Sequence, residues 1–226
     1  MPLDVLVNEF AIRSFRDEAD GDYIAARFAL RSELTSQYLW SSQQAMEKYL
    51  KCIILMNRIE HPNKRWHKPS VGLQAIEQSG KLSLGLTAPT RDFLDYLDRY
   101  GEVRYFEVSY TASMCDLVKL DRAVWELRRF CTLATEPRMA VLGHHEPVPK
   151  VRLERGRLEA ILDTRDHPAR RSLLWENGFF GGRRRDVVRL PNRFEVKNAP
   201  LDMHSHIVEE VSKYVHISKR SKGALR

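Results

Sequence analysis

Gln43-Gln44-Ala45-Met46-Glu47-Lys48-Tyr49-Leu50-Lys51 is the stretch on which the reading of this chain turns. It lies inside a long run, residues 35–57, whose apolar side chains Leu39, Met46, Tyr49, Leu50, Ile53 and Ile54 recur at spacings of three and four. That recurrence is the period of one helix face. Thr35 and Ser36, just ahead of it, are residue types that cap a helix start. On such a helix Gln43, Glu47 and Lys51 are one turn apart and share a face, with Lys48 beside them. A face of this kind suits a nucleotide phosphate or an RNA backbone held against Lys48 or Lys51. It equally suits plain solvent exposure with Glu-to-Lys support one turn apart, and the residues alone leave both open.

Outward from this run the same periodicity continues. Asp20-Gly21-Asp22 is read as the opening of a preceding helix through Tyr23, Ala26, Arg27, Leu30 and Leu34. After the polar, proline-broken stretch 61–65, a short helix is expected over residues 70–78, stopping at Gly80. Another is expected over 89–100, with Phe93, Leu94 and Leu97 inward. A last one is expected over 110–133, with Met114, Leu117, Val118, Asp121, Val124, Trp125 and Leu127 along its stripe; Asp121 is the odd member of that stripe. Long amphipathic helices joined by short loops favour antiparallel neighbours, so the fold class is mainly α, an up-down helix bundle.

The order and spacing of these elements carry a resemblance. Gln44-Ala45-x-Glu47-Lys48-x-x-Lys51 resembles the signature helix of HEPN (higher eukaryote and prokaryote nucleotide-binding) domains, and Asp22-Tyr23-x-x-Ala26-Arg27 is similar to the family's first helix. His67 matches loosely a His-containing region ahead of the third helix, and Arg104-Tyr105 sits where many members have an Arg-Tyr pair. The resemblance covers about residues 16–133. It implies a HEPN-like bundle, RNA or nucleotide as ligand, dimers, and a place in a bacterial defence or toxin–antitoxin-like system, with a partner protein encoded alongside.

The family's ribonucleases resemble one another in an Arg-x(4–6)-His motif near the start of the last bundle helix. There Arg steadies phosphate and His moves protons without a metal. This chain departs from that pattern. After Arg104 the three permitted positions hold Ser109, Tyr110 and Thr111; after Arg99 they hold Arg104, Tyr105 and Phe106. Tyr110 is a poor proton shuttle at neutral pH, with an ordinary pKa of about 10. The spacing does occur from Arg138 to His144 and His145, inside a proline-bounded stretch, but in a chain with 26 Arg and 8 His such spacings arise by chance. Arg104, Arg138, His144 and His145 are therefore the candidate catalytic residues only if the chain is a nuclease. The expectation is a nuclease-degenerate binder of nucleotide or RNA; the alternatives are a metal-independent endoribonuclease and a protein-interaction module. No cofactor and no metal are expected, since neither His144-His145 nor His204-x-His206 has a nearby Cys or a helix-spaced His partner.

Charge divides the chain unevenly. Residues 1–137 carry 18 Lys and Arg against 19 Asp and Glu, whereas residues 138–226 carry 19 against 11. The domains are read accordingly as a bundle, 1–137, a proline-rich linker, 138–150, and a basic extension, 151–226, helical or α+β. The extension holds two expected short helices at 156–162 and 169–175, weak strand signals at 186–190 and 193–196, and a final amphipathic helix with Ile207, Val208, Val211, Tyr214 and Val215 on one face. A basic excess so placed points to an anionic partner. Its densest run, Gly181-Gly182-Arg183-Arg184-Arg185 followed by Arg189 and Arg193, is the candidate nucleic-acid contact, because clustered guanidiniums suit phosphate oxygens. Phe179 and Phe180 are candidates for stacking on bases, or else for packing inward. Cys52, Cys115 and Cys131 show no paired spacing and fall in apolar helical stretches, so buried free thiols in a reducing compartment are expected. No apolar run approaches the roughly 20 residues of a membrane span, and residues 1–5 resemble no secretion signal; a cytoplasmic protein is expected.

Overall fold

The computed structural model describes residues 3–60, 65–100, 113–132, 156–180, 210, 213 and 214. Every regular element among them is helical. Helix α1 spans Leu3–Ala11 and passes through a π-helical turn, Ile12–Arg16, into α2, Asp17–Arg31. Helix α3 is Thr35–Met56, α4 Pro69–Gln78, α5 Ala88–Tyr100 and α6 Met114–Arg128, which tightens into a 3₁₀ turn at Arg129–Cys131. In the extension, α7 is Arg157–Asp163 and α8 is Arg170–Leu174.

Helix α3 is the hub. It touches α1, the π turn, α2, α4, α5, α6 and the 3₁₀ turn. Its expected apolar face is fully in the core, with Leu39, Met46, Tyr49, Leu50, Ile53 and Ile54 all buried. The three-residue turn between α2 and α3, together with their long mutual packing, makes the two an antiparallel pair. Leu50→Ala is expected to cost about 2–5 kcal/mol, the range for removing a large side chain from a core that cannot fully collapse. A urea melt in which Leu50→Ala unfolds with the wild-type midpoint would mean that α3 does not sit at the centre.

Three local expectations are corrected by packing. Helix α2 does not open at Asp20-Gly21-Asp22; the helical chain already runs through Asp17, and Asp20 is buried within it. On α6 the buried apolar residues are Leu117, Leu120, Ala123, Val124 and Leu127, while Val118 is 49% exposed. The stripe read from sequence mixed two faces: Leu117, Leu120, Val124 and Leu127 follow one strict helical phase, whereas Asp121 belongs to a polar seam beside it. Cys115 is exposed, away from that inward phase, although Cys52 and Cys131 are buried free thiols as expected.

Helix α6 begins at a capping box formed by Ser113 and Asp116, and the Tyr38 hydroxyl donates to the Asp116 carbonyl at 2.9 Å, tying the starts of α3 and α6 together. Residues 156–180 pack onto α2, and Leu158, Ile161, Leu173 and Tyr214 join the bundle's own apolar core. The linker 138–150, the strand signals and most of the final amphipathic helix lie outside the described residues.

Candidate functional site

Two polar constellations stand out, one on α3 and one between α2, α6 and the extension. On α3, Gln43 and Glu47 are 0% and 4% exposed, so the face they form is not a solvated one. The segment ahead of α4 lies across it. Gln43 Nε2 donates to the His67 carbonyl at 3.1 Å, and His67 Nδ1 stands 3.4 Å from Glu47 Oε1, the same oxygen that takes the Lys51 ammonium. Lys51 Nζ lies 5.1 Å from the centre of the Trp66 ring. Trp66 is itself seated on Gly72, where a β-carbon would come within 2.4 Å of the ring. A side chain at position 72 is thus excluded by the indole that positions Lys51.

Among the described residues, Gln43 Oε1 and Glu47 Oε2 are buried without a hydrogen-bond partner. An unpaired buried polar atom costs about 1–3 kcal/mol, and these two lie one helical turn apart, beside a His67 side chain that is 66% exposed. Lys48 turns the other way and pairs with Asp22 of α2. Burial raises the Asp22 carboxyl against the pull of Lys48. Of the four candidate nucleotide contacts, Gln43, Glu47 and Lys51 therefore converge, joined by His67, and Lys48 does not.

The second constellation explains the odd Asp121. Its Oδ1 accepts from the Tyr23 hydroxyl at 2.7 Å and from Arg27 Nη1. Arg27 also donates to the Ser172 carbonyl at 2.9 Å through Nε and to the Trp175 carbonyl through Nη2. Asn177 donates to the Tyr23 hydroxyl at 2.7 Å, and its own side-chain oxygen accepts the Phe179 and Phe180 amides. One turn along α2, Asp20 accepts from the Tyr49 hydroxyl at 2.6 Å and from Arg128 at 2.7 and 2.9 Å. Arg128 then makes a two-pronged bond to Glu159 of α7 at 2.6 and 2.7 Å. Burial, and then the facing Asp121 and Asp20, push the Tyr23 and Tyr49 hydroxyls well above their ordinary range, so both stay protonated donors. Burial raises the Asp121 carboxyl even against Arg27. For Glu159 burial also acts upward, but the Arg128 charge and hydrogen bonds outweigh it and hold the carboxyl at about 2.

This seam is structural: Tyr23 and Arg27, the two residues most like the family's first-helix motif, face inward and hold the extension. Phe179 and Phe180 take the inward alternative, with ring centres 6.4 and 5.6 Å from that of Trp125, and Phe180 5.7 Å from Tyr23. They are thus engaged by the bundle rather than presented as stacking platforms. Arg104, Arg138, His144, His145, Arg183, Arg184, Arg185, Arg189 and Arg193 lie outside the described residues. In the sequence His67 carries no weight beyond a loose motif match, and the cationic turn between α7 and α8 is marked there only by the clustering of Arg165, Arg170 and Arg171 around His167.

No helix among the described residues is long and apolar enough to cross a membrane. No curated protein and no solved structure matches the chain. The HEPN domain family model matches residues 12–133, which covers α2 to α6 and the whole α3 cluster. With more than half of its length inside that match and with α3 as the hub of an all-helical bundle, this chain belongs to the HEPN domain family.

Proposed function

We propose that this chain is a non-catalytic nucleotide- or RNA-binding protein that works as a homodimer, alongside a partner protein, in a bacterial defence or toxin–antitoxin-like system. The observation that carries the binding reading is the pair of unpartnered buried acceptors, Gln43 Oε1 and Glu47 Oε2, beside Lys51 and the exposed His67. Acceptors in such a position suit the hydroxyl and amine donors of a nucleoside. Lys51 supplies the charge that phosphate oxygens need. The basic run from Arg183 to Arg193 adds a sequence-independent attraction for a strand. For the homodimer, the support is apolar surface: Phe28 and Leu34 are exposed at the α2–α3 turn, and Val118 on α6. The missing His after Arg104 supports the absence of nuclease chemistry.

A titration with a fluorescent mant-labelled nucleotide tests the α3 site. Glu47→Gln removes the charged acceptor and should weaken binding by about tenfold or more, since a hydrogen bond to a charged group is worth about 1.5–3 kcal/mol. Wild-type affinity in Glu47→Gln would remove α3 as the binding site. A mixed RNA pool incubated with the protein and EDTA should stay intact.

One observation favours a second reading. The Ser70 amide donates to an Asp98 carboxylate oxygen at 3.2 Å, which brings the end of α5 against the start of α4, three residues from His67. Arg104 follows that end of α5 by four residues. A His67 ring oriented by Glu47 is the arrangement of a general base. RNA cleavage that is abolished by His67→Ala and by Arg104→Ala would make the chain a metal-independent endoribonuclease.

A further inference from the structure

The turn between α7 and α8 forms a concavity built from none of the residues of the α3 cluster. A pocket of about 440 Å³ opens there, lined by Arg165, His167, Arg170, Arg171, Leu174 and Trp175, with Asp166 the only carboxylate among the described lining residues. A neighbouring pocket of about 400 Å³ shares His167 as a wall and adds Arg157. Among the described residues, Arg165 and Arg171 are exposed, and neither guanidinium has an ion-pair or hydrogen-bond partner. Arg170 is different: its Nε donates to the Leu162 carbonyl at 3.0 Å, which fixes it across the turn. His167 Nδ1 accepts the Ala169 amide at 3.1 Å, so the neutral ring carries its proton on Nε2 and is a donor there. Trp175 supplies a flat apolar wall, and the Arg31 guanidinium lies 5.0 Å from its ring centre.

The walls are held from beneath. Arg27 of α2 grips the carbonyls of Ser172 and Trp175, and through Asp121 it is locked to α6. The backbone that carries these side chains is therefore held by buried, bonded residues, and the ordering left to binding is that of the exposed Arg165 and Arg171 side chains. Unpaired guanidiniums in a fork geometry match phosphate oxygens better than a single carboxylate needs. An indole wall beside them adds a surface on which a base can lie.

We propose that the pocket at the α7–α8 turn binds the phosphate of a nucleotide, free or within an RNA strand, through Arg165, Arg170 and Arg171, with Trp175 against the base. This site is independent of the α3 acceptors and does not rest on them.

Fluorescence anisotropy of the full chain with a labelled oligouridylate, run as a salt titration, tests it, with AMP and oligoglutamate as competitors. The proteins are wild type, R165E/R171E, the milder R165Q/R171Q, and Glu47→Gln. The charge reversal is expected to weaken oligonucleotide binding about tenfold or more. It should also flatten the log–log salt slope by about 1.4, at about 0.7 for each single-strand phosphate that is no longer neutralised. R165Q/R171Q should act in the same direction to a smaller extent and should melt with wild type, because both side chains are in solvent. R165E/R171E placed in the Glu47→Gln background should lower affinity by the same factor as it does in wild type, so that failure of one site is separable from failure of the other. AMP displacing the oligonucleotide from wild type identifies a free nucleotide as the ligand; displacement by unlabelled RNA alone identifies a strand. The proposal is overturned if wild type binds neither probe, if both arginine variants bind as wild type does, or if oligoglutamate competes as well as RNA.

Discussion

Arg128→Ala is expected to destabilise the protein by about 3–5 kcal/mol, the range for removing one partner of a buried ion pair and leaving the other charged. Among the described residues, Arg128 is the group that connects Asp20 of α2 to Glu159 of α7. Without it the Asp20 carboxylate, which has no solvent exposure, keeps among the described residues only the Tyr49 hydroxyl and the Leu158 amide. Gly156 sits against the same guanidinium, and a β-carbon there would come within 2.5 Å of it, so the chain entering α7 is shaped to this side chain. Equilibrium urea unfolding measures the effect, and a loss below about 1 kcal/mol would mean that the pair is not buried as described.

The Glu159 end of this bridge also sets an acid dependence. Its carboxyl is held at about 2, below the ordinary glutamate value of 4.5. A carboxyl depressed in the folded state contributes its full stabilisation above the unfolded value, and loses it as pH falls through the folded one. The stability difference between wild type and Glu159→Gln should therefore be constant above pH 4.5 and shrink between pH 4.5 and 2. At about 1.36 kcal/mol per unit the shift corresponds to about 3 kcal/mol at most; with its side chain 32% exposed, solvent screening leaves less. The raised carboxyls of Asp17, Asp22, Asp98 and Asp121 act in the opposite sense, but they are common to both proteins and cancel in the difference.

Arg27→Ala should have an effect of similar size, about 3–5 kcal/mol, with a different signature. Asp121 would remain buried with the Tyr23 hydroxyl alone, and the carbonyls of Ser172 and Trp175 would lose their donor. Because those carbonyls belong to α8 and its C-terminal cap, the loss should fall first on the extension. Hydrogen exchange should speed up in residues 157–180 well before it does in α3, since the extension can open locally while the hub stays packed. Arg27→Ala/Asp121→Ala should cost less than the sum of its two single changes, because the second removes the carboxylate that the first left uncompensated. Uniform exchange across α3 and α8 in Arg27→Ala would show that the extension and bundle open only together.

The residues that this chain buries by periodicity were legible from the sequence. The core face of α3, the inward residues of α5, the short helices α4, α7 and α8, and the family resemblance through Gln44 to Lys51 all rest on neighbours within one or two turns. Local spacing was enough, because a helix places residues three and four apart on one face whatever it later packs against. The start of α2 was not legible, since Asp20-Gly21-Asp22 reads as a helix opening until Arg128, 108 residues away, arrives to neutralise Asp20. Asp121 looked like a misfit in an apolar stripe for the same reason; its partners Tyr23 and Arg27 are 98 and 94 residues distant. The sequence put Gln43, Glu47 and Lys51 on one face, but only the chain segment carrying Trp66 and His67 decided that this face is covered and that two of its acceptors are left unpaired. A carboxylate or an arginine has no inside or outside of its own. Whether it solvates, pairs or waits for a ligand is decided by which charge the tertiary structure brings within about 4 Å of it, at an energy that burial multiplies.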